Sequence, residues 1–241
     1  MGPELTIDIK EKSYGQGSLV IFSQFQLIVE PSSVLALVGP SGVGKSTLLR
    51  MIAGIDNSYA GRILIDDVPA PQASPAGFVF QDPRLLPWLT SVDNITAVKA
   101  DTTPETAARH IAAVGLAGYE KAYPHELSGG MQRRLALARA ASINESFWLF
   151  DEPFVSLDRK MVNELQRQFL DMVAAHRPTV VIVTHLPEDA ARMATRAVVL
   201  RGRPVRIAAD LDFDSSPQSR SAERVHELTE LLTRHTEGVA A

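Results

Sequence analysis

Cysteine is absent from this sequence, which excludes disulfides and thiolate metal sites, and nothing in it points to redox chemistry. No apolar run approaches the roughly 18 residues needed to cross a bilayer. Met1 to Lys10 alternates polar and apolar residues instead of forming a signal peptide. The expectation is a soluble chain that remains in the cytoplasm. A positive charge balance is missing too: 24 Lys and Arg against 28 Asp and Glu leave −4. Nucleic-acid binding depends on neutralising phosphates, so a broad nucleic-acid surface is not expected. What is present is 241 residues, 45% of them apolar, enough for one large domain or a core with a subdomain.

Along the chain, Leu5, Ile7 and Ile9 alternate with polar residues and Val20 to Val29 follows as a second strand, with Tyr14 in the Gly-containing loop between them. Val34 to Val38 is a short apolar strand, and Thr47 to Ala53 reads as a helix. Tyr59, Ala60 and Gly61 mark a turn, Arg62 to Ile65 a strand and Val68 to Pro75 a loop. Ala76 to Phe80 is a strand ending at Gln81. Between Asp82 and Glu126 strand signals fade, and Thr103 caps a helix whose first residue is Pro104. A further helix opens at Ser128, with Met131, Leu135 and Ala138 on one face and Arg133, Arg134 and Arg139 spread around the others. Strands return at Phe147 to Phe150, Thr179 to Val183 and Ala197 to Leu200, with a helix from Arg159 to His176. Arg201, Arg203 and Arg206 surround Gly202 and Pro204, a turn between two strands with a solvated edge, or a contact for a lipid headgroup or partner. Past Asp210, Ser221 to His235 forms a closing helix that buries Leu228, Leu231 and Leu232.

Strands alternating with helices predict a mostly parallel sheet. With the loop Gly39 to Thr47 fitting G-x-x-x-x-G-K-[ST], the fold class expected is α/β: a P-loop NTPase core of mostly parallel sheet flanked by helices, with an N-terminal antiparallel β part and a helical subdomain. Residues 1–81 and 147–210 make the core, 82–146 the helical segment, and 211–241 the tail.

Gly39, Pro40, Ser41, Gly42, Val43, Gly44, Lys45, Ser46 and Thr47 fit G-x-x-x-x-G-K-[ST] between a strand and a helix, the setting a phosphate-binding loop requires. Its glycines let backbone N–H groups curl round phosphate oxygens, and the following helix points its positive end at the same charge. Lys45 should reach the β- and γ-phosphates and the Ser46 hydroxyl should take Mg²⁺. Asp151 and Glu152 follow the apolar strand Phe147 to Phe150, at the strand end where open α/β sheets place their ligand crevice. Alone, such a pair is as often a solvated turn. Downstream of a phosphate loop, Asp151 is suited to Mg²⁺ and Glu152 to polarising the attacking water as a general base. Ser128, Gly129 and Gly130 at a helix start offer a second set of N–H groups to an anion. His185 ends the apolar run Val180 to Val183 at the same sheet edge as Asp151, whereas His125 reads as an ordinary polar residue.

The phosphate loop, Leu127 to Gln132 shortly before the acidic strand end, and His185 beyond it together resemble the ATP-binding subunit of an ABC transporter, from Leu5 to about Ile207. The resemblance implies ATP and Mg²⁺ as ligands. Tyr14 would stack on adenine, Gln81 would line the Mg²⁺ and γ-phosphate region, and Ser156, Leu157 and Asp158 would cross to a second subunit. His185 would contact the γ-phosphate. Two copies would pack head to tail, with the phosphate loop of one facing Ser128, Gly129, Gly130 and Gln132 of the other. Further partners implied are a transmembrane permease and a solute-binding protein, with the chain peripheral on the cytoplasmic membrane face. Gln81 to Trp88 and the hairpin Arg203 to Ile207 are similar to importers of nitrate, sulfonates, taurine and related solutes. Leu85, Leu86 and Trp88 either border the groove for a permease helix or form the core of the helical segment. Three positions depart from the usual pattern without removing a catalytic group: Ser33, Thr195 and the order Gln132-Arg133.

Rival classes fit less well. A soluble ABC-type ATPase acting on a macromolecular partner usually carries two ATPase units or a long coiled-coil insertion, and this sequence shows neither. A GTP switch needs Asn-Lys-x-Asp, and Val98, Lys99, Ala100, Asp101 lacks the Asn. A small-molecule P-loop kinase has no need of Leu127 to Gln132.

Overall fold

The computed structural model describes residues 1–15, 19–155 and 157–238. Among the described residues ten strands form two sheets. The first is antiparallel, in the order β2-β1-β4-β5, built from β1 (Leu5–Tyr14), β2 (Leu19–Val29), β4 (Ala60–Ile65) and β5 (Val68–Pro69). The second has the order β10-β9-β3-β8-β7-β6, from β3 (Val34–Val38), β6 (Gly77–Val79), β7 (Phe147–Asp151), β8 (Thr179–Thr184), β9 (Arg196–Arg201) and β10 (Arg206–Asp212). All of its neighbours run parallel except β9 and β10.

Period-2 alternation explains how this second sheet holds two cores. Leu35, Leu37, Phe147, Leu149, Val181, Val183, Val198 and Leu200 point to one face and meet β1, β2 and helix α1 (Lys45–Ile52). Their neighbours Val34, Ala36, Val38, Trp148, Phe150, Val180 and Ile182 point to the other. There they meet α4 (Gly129–Ile143), α5 (Arg159–His176), α6 (Pro187–Met193) and α7 (Ala222–Glu237). Strands buried on both sides read as continuous apolar runs, which is how Val180 to Val183 appears in the sequence. Helices α2 (Ser91–Thr96) and α3 (Pro104–Ala113) pack on α4, and their Ile95, Ala107 and Ile111 join the same core as the sheet face beneath. Thr103 caps α3 as expected, accepting from the Thr106 N–H at 3.2 Å.

Four local readings are corrected. Tyr14 is the last residue of β1, paired with Leu19, and not part of a loop. Ala60 and Gly61 belong to β4; Gly61 has φ 125° and a β-carbon there would strike the Asp8 carbonyl, so this glycine marks close strand approach at a register shift, not a turn. Leu231 is 37% exposed, because Val225, Leu228 and Leu232 make the i, i+3, i+7 stripe of α7. Arg139, placed by the sequence away from the apolar face, is only 8% exposed and lies under the loop at 83–84.

Candidate nucleotide site

The phosphate loop leaves the carboxyl end of β3 and enters α1. Gly44 adopts φ 123°, and a β-carbon there would lie 2.8 Å from Ile21 Cγ2, so the turn into α1 requires glycine. Lys45 is buried. Its Nζ donates to the carbonyls of Gly39 at 2.8 Å and Pro40 at 3.0 Å and stands 3.9 Å from Glu152 Oε1. Burial pulls its pKa below the ordinary lysine value, against the opposing pull of Glu152 and Asp151. An ammonium folded over its own loop carbonyls has exchangeable partners for phosphate oxygens.

Ser46 Oγ donates to Asp151 Oδ1 at 2.8 Å. Ser46, Gln81, Asp82, Arg133 and Asp151 line one cleft. Glu152 follows at the end of β7 with φ 48°, its N–H donating to Val183 O at 2.9 Å, and its Oε2 lies 3.0 Å from His185 Nδ1. Parallel pairing of β7 with β8 brings these two together, with Asp151 opposite Val183. One carboxylate thus sits between Lys45 and His185.

The other predicted residues lie elsewhere. Ser128 caps α4, accepting from the Met131 N–H at 3.3 Å, and is exposed; around Gly129 nothing lies within 4 Å of where a β-carbon would be. Gln132 turns inward, donating to Pro124 O at 2.9 Å and Leu127 O at 3.2 Å, and braces the turn before Ser128. Asp158 caps α5 through the Met161 N–H at 3.0 Å. Ser128, Gly130 and Asp158 line a groove that shares no residue with the cleft of Ser46 and Asp151. Ser156 lies outside the described residues. The Tyr14 ring is 41% exposed, with Lys12 Nζ 4.6 Å from its centre and its hydroxyl donating to Asp56 at 3.3 Å. Leu85 packs against the core, whereas Trp88 is 69% exposed and so does not belong to that core.

Sequence reasoning missed four side-chain roles at this site. Arg133 and Arg139 hold backbone carbonyls of residues 81–84, and Arg203, expected on a solvated edge, donates to Gly42 O at 2.7 Å and steadies the phosphate loop. Long-range carbonyl partners leave no pattern in a sequence. The fourth is Asp189 on α6, buried, accepting from Gln166 Nε2 at 2.9 Å and from the Thr184 hydroxyl at 3.3 Å. Burial pushes its pKa up to about 6, the Thr184 and Gln166 hydrogen bonds opposing and Glu188 adding to the rise. The folded state therefore holds this proton more tightly than the unfolded chain. The stability it contributes is full below the unfolded value of 3.8 and is lost as pH rises through about 6. A shift of this size corresponds to about 3 kcal/mol. Asp189→Asn should accordingly gain melting temperature over the unsubstituted chain at pH 8 and lose that advantage at pH 5; a pH-independent difference in thermal scans would refute this.

A phosphate loop leading into α1, a hydroxyl–carboxylate pair of the kind that suits Mg²⁺ and a glutamate directly after that carboxylate at the end of β7 define a P-loop ATPase. The ABC transporter family model matches residues 22–155. Over 229 residues the sequence is 38% identical to the aliphatic sulfonates import ATP-binding protein SsuB of Bacillus licheniformis, covering 90% of this chain and 88% of that one. Over 210 residues it is 40% identical to SsuB of Bacillus subtilis, covering 84% and 82%. A dimeric ATP-binding cassette solved in a post-hydrolysis state with ADP and Pi superposes with a TM-score of 0.74 at 25% identity, covering 88% of this chain and 99% of that one. The chain belongs to the ABC transporter family and is an ATP-binding, ATP-hydrolysing subunit of that class.

Proposed function

We propose that this chain drives uptake of a small solute of the sulfonate, taurine or nitrate kind through a separate permease, by hydrolysing ATP between two of its copies packed head to tail. The carrying observation is Glu152 held between His185 at 3.0 Å and Lys45 at 3.9 Å, beside the Ser46–Asp151 pair. Supporting the solute class are the relatives named as aliphatic sulfonates importers. Among the described residues no helix is long and apolar enough to cross a membrane, so transport needs a membrane partner. The proposed place of work is the cytoplasmic membrane face, with a solute-binding protein delivering cargo and the exposed Trp88 as part of the permease contact. Residues 1–81 and 147–210 act as the ATP-binding core, 82–146 as the helical signature unit and 211–241 as the tail.

In this reading the loop from Gly39 to Thr47 wraps the phosphates, with Ser41, Val43 and their neighbours giving backbone N–H groups. Lys45 leaves the Gly39 and Pro40 carbonyls for the β- and γ-phosphates. Tyr14 offers its ring to adenine. A hydroxyl and a carboxylate oxygen are hard donors that suit Mg²⁺, which takes few protein ligands and keeps water and phosphate for the rest. Ser46, Asp151 and Gln81 would hold it, and it would neutralise charge building on the phosphate oxygens. Glu152 takes the proton of the attacking water, and His185 orients that carboxylate and meets the γ-phosphate. Ser128, Gly129, Gly130, Gln132 and Asp158 of the second copy close the site.

Lys45→Ala should weaken ATP binding about 10- to 100-fold, the equivalent of charged hydrogen bonds worth about 1.5–3 kcal/mol. Titration with a fluorescent ATP analogue measures this, and unchanged affinity would remove Lys45 from the phosphate site. Expression beside the neighbouring reading frames tests the transport role: a multi-spanning subunit should co-purify with this chain, and retrieval of only soluble partners would reject it.

A further inference from the structure

The guanidinium of Arg133 reaches across three segments of the site. It sits on α4, five positions after Ser128. Its Nη1 donates to Gln81 O at 2.8 Å and Pro153 O at 3.1 Å, and its Nη2 donates to Val155 O at 3.2 Å. Pro153 follows Glu152 directly, and the Val155 N–H donates to Glu152 O at 3.4 Å. Further along α4, Arg139 holds Pro83 O and Arg84 O, each at 2.8 Å, so the same helix grips both ends of 81–84.

We propose that Arg133 is a positioning residue that ties the helix bearing Ser128, which meets the second copy's nucleotide, to the backbones of Gln81 and Glu152, which meet this copy's own, so that the two nucleotide sites move as one unit. The proposal rests on the roles assigned above to Gln81, Glu152 and Ser128. Glu152 is a non-glycine residue in the left-handed region, a conformation that persists only where the surroundings over-determine it. Val183 O fixes it on one side through its own N–H. On the other side the Pro153 and Val155 carbonyls are fixed by Arg133 alone among the side chains of the described residues. A planar fork can serve three divergent carbonyls at once, which neither the point charge of lysine nor the single amide of glutamine can match. Beneath it lies an apolar hollow lined by Phe80, Pro83, Leu137, Phe150 and Phe154, with no polar group to take over the task. The sequence order Gln132-Arg133, noted as a departure, therefore places the fork where it reaches 81, 153 and 155 while Gln132 braces Leu127.

The test compares full-length Arg133→Gln and Arg133→Lys with Leu228→Ala, a destabilising substitution in α7, no residue of which lines the nucleotide cleft. Arg133→Gln should lower kcat at saturating ATP about tenfold or more. In the Glu152→Gln background, which removes hydrolysis, it should raise the ATP concentration for half-maximal dimer in gel filtration by about tenfold. Arg133→Lys should fall between, and it serves as the test if the glutamine variant does not fold. Leu228→Ala at an equal or greater loss of melting temperature should keep its kcat. The proposal is overturned by unchanged kcat and dimerisation in the Arg133 variants, or by losses that Leu228→Ala reproduces. Rapid turnover by Glu152→Gln alone would strike down the assigned role of Glu152 instead, whatever the Arg133 variants do.

Discussion

Glu152→Gln should bind ATP as well as the unsubstituted chain while its hydrolysis falls by about 10²- to 10⁴-fold, the range a general base contributes. Glutamine keeps the shape of the side chain and can still pair with His185 Nδ1 at the 3.0 Å spacing seen for Glu152 Oε2. What it cannot do is take a proton from water. Trapped before hydrolysis, ATP should hold two copies together, so the variant with Mg²⁺ and ATP should elute as a dimer and revert to monomer once nucleotide is stripped. Phosphate release gives the rate and gel filtration the assembly. Multiple turnovers at the ordinary rate would dismiss Glu152 as the base.

Ser128→Arg should abolish hydrolysis while sparing ATP binding by the single chain. Ser128 is exposed at the start of α4, on an open groove it shares with Gly130 and Asp158, so an arginine there projects from the surface and leaves the core of its own subunit undisturbed. Losing the cap that Ser128 Oγ provides to the Met131 N–H costs about 1 kcal/mol, which a folded domain withstands. The damage falls on the second copy, whose triphosphate would find a long side chain where small groups and free N–H donors are needed. The ATP-induced dimer of the Glu152→Gln variant should therefore disappear when Ser128→Arg is added. A Ser128→Arg protein with normal turnover would disprove a site shared between copies.

Much of the nucleotide site could be read from local order. Gly39 to Thr47 is contiguous, and its chemistry follows from a strand, a glycine-rich turn and a helix in succession. Asp151 and Glu152 were legible because four bulky apolar residues before them demand a buried strand, and a strand end is where ligands collect. Helix α5 begins at Arg159 and ends at His176 as expected, since a capping Asp158 and an amphipathic stripe are local signals. Gly61 failed for the converse reason: a glycine that permits close approach of β1 looks, in sequence, like one that permits a turn. Arg139 failed likewise, since burial of a charge depends on carbonyls of residues 83 and 84, far away along the chain.

By itself the sequence determined the alternation of strands and helices, the phosphate loop, the paired carboxylates and the family, because each rests on residues adjacent or nearly so. Tertiary structure alone decided that Glu152 meets His185 and Lys45, that Arg203 steadies Gly42, and that Arg133 joins 81 to 153 and 155. Those contacts depend on the strand order β3-β8-β7 and on where α4 crosses the sheet. Strand order is set by burial summed over the whole sheet, a quantity that no short segment carries.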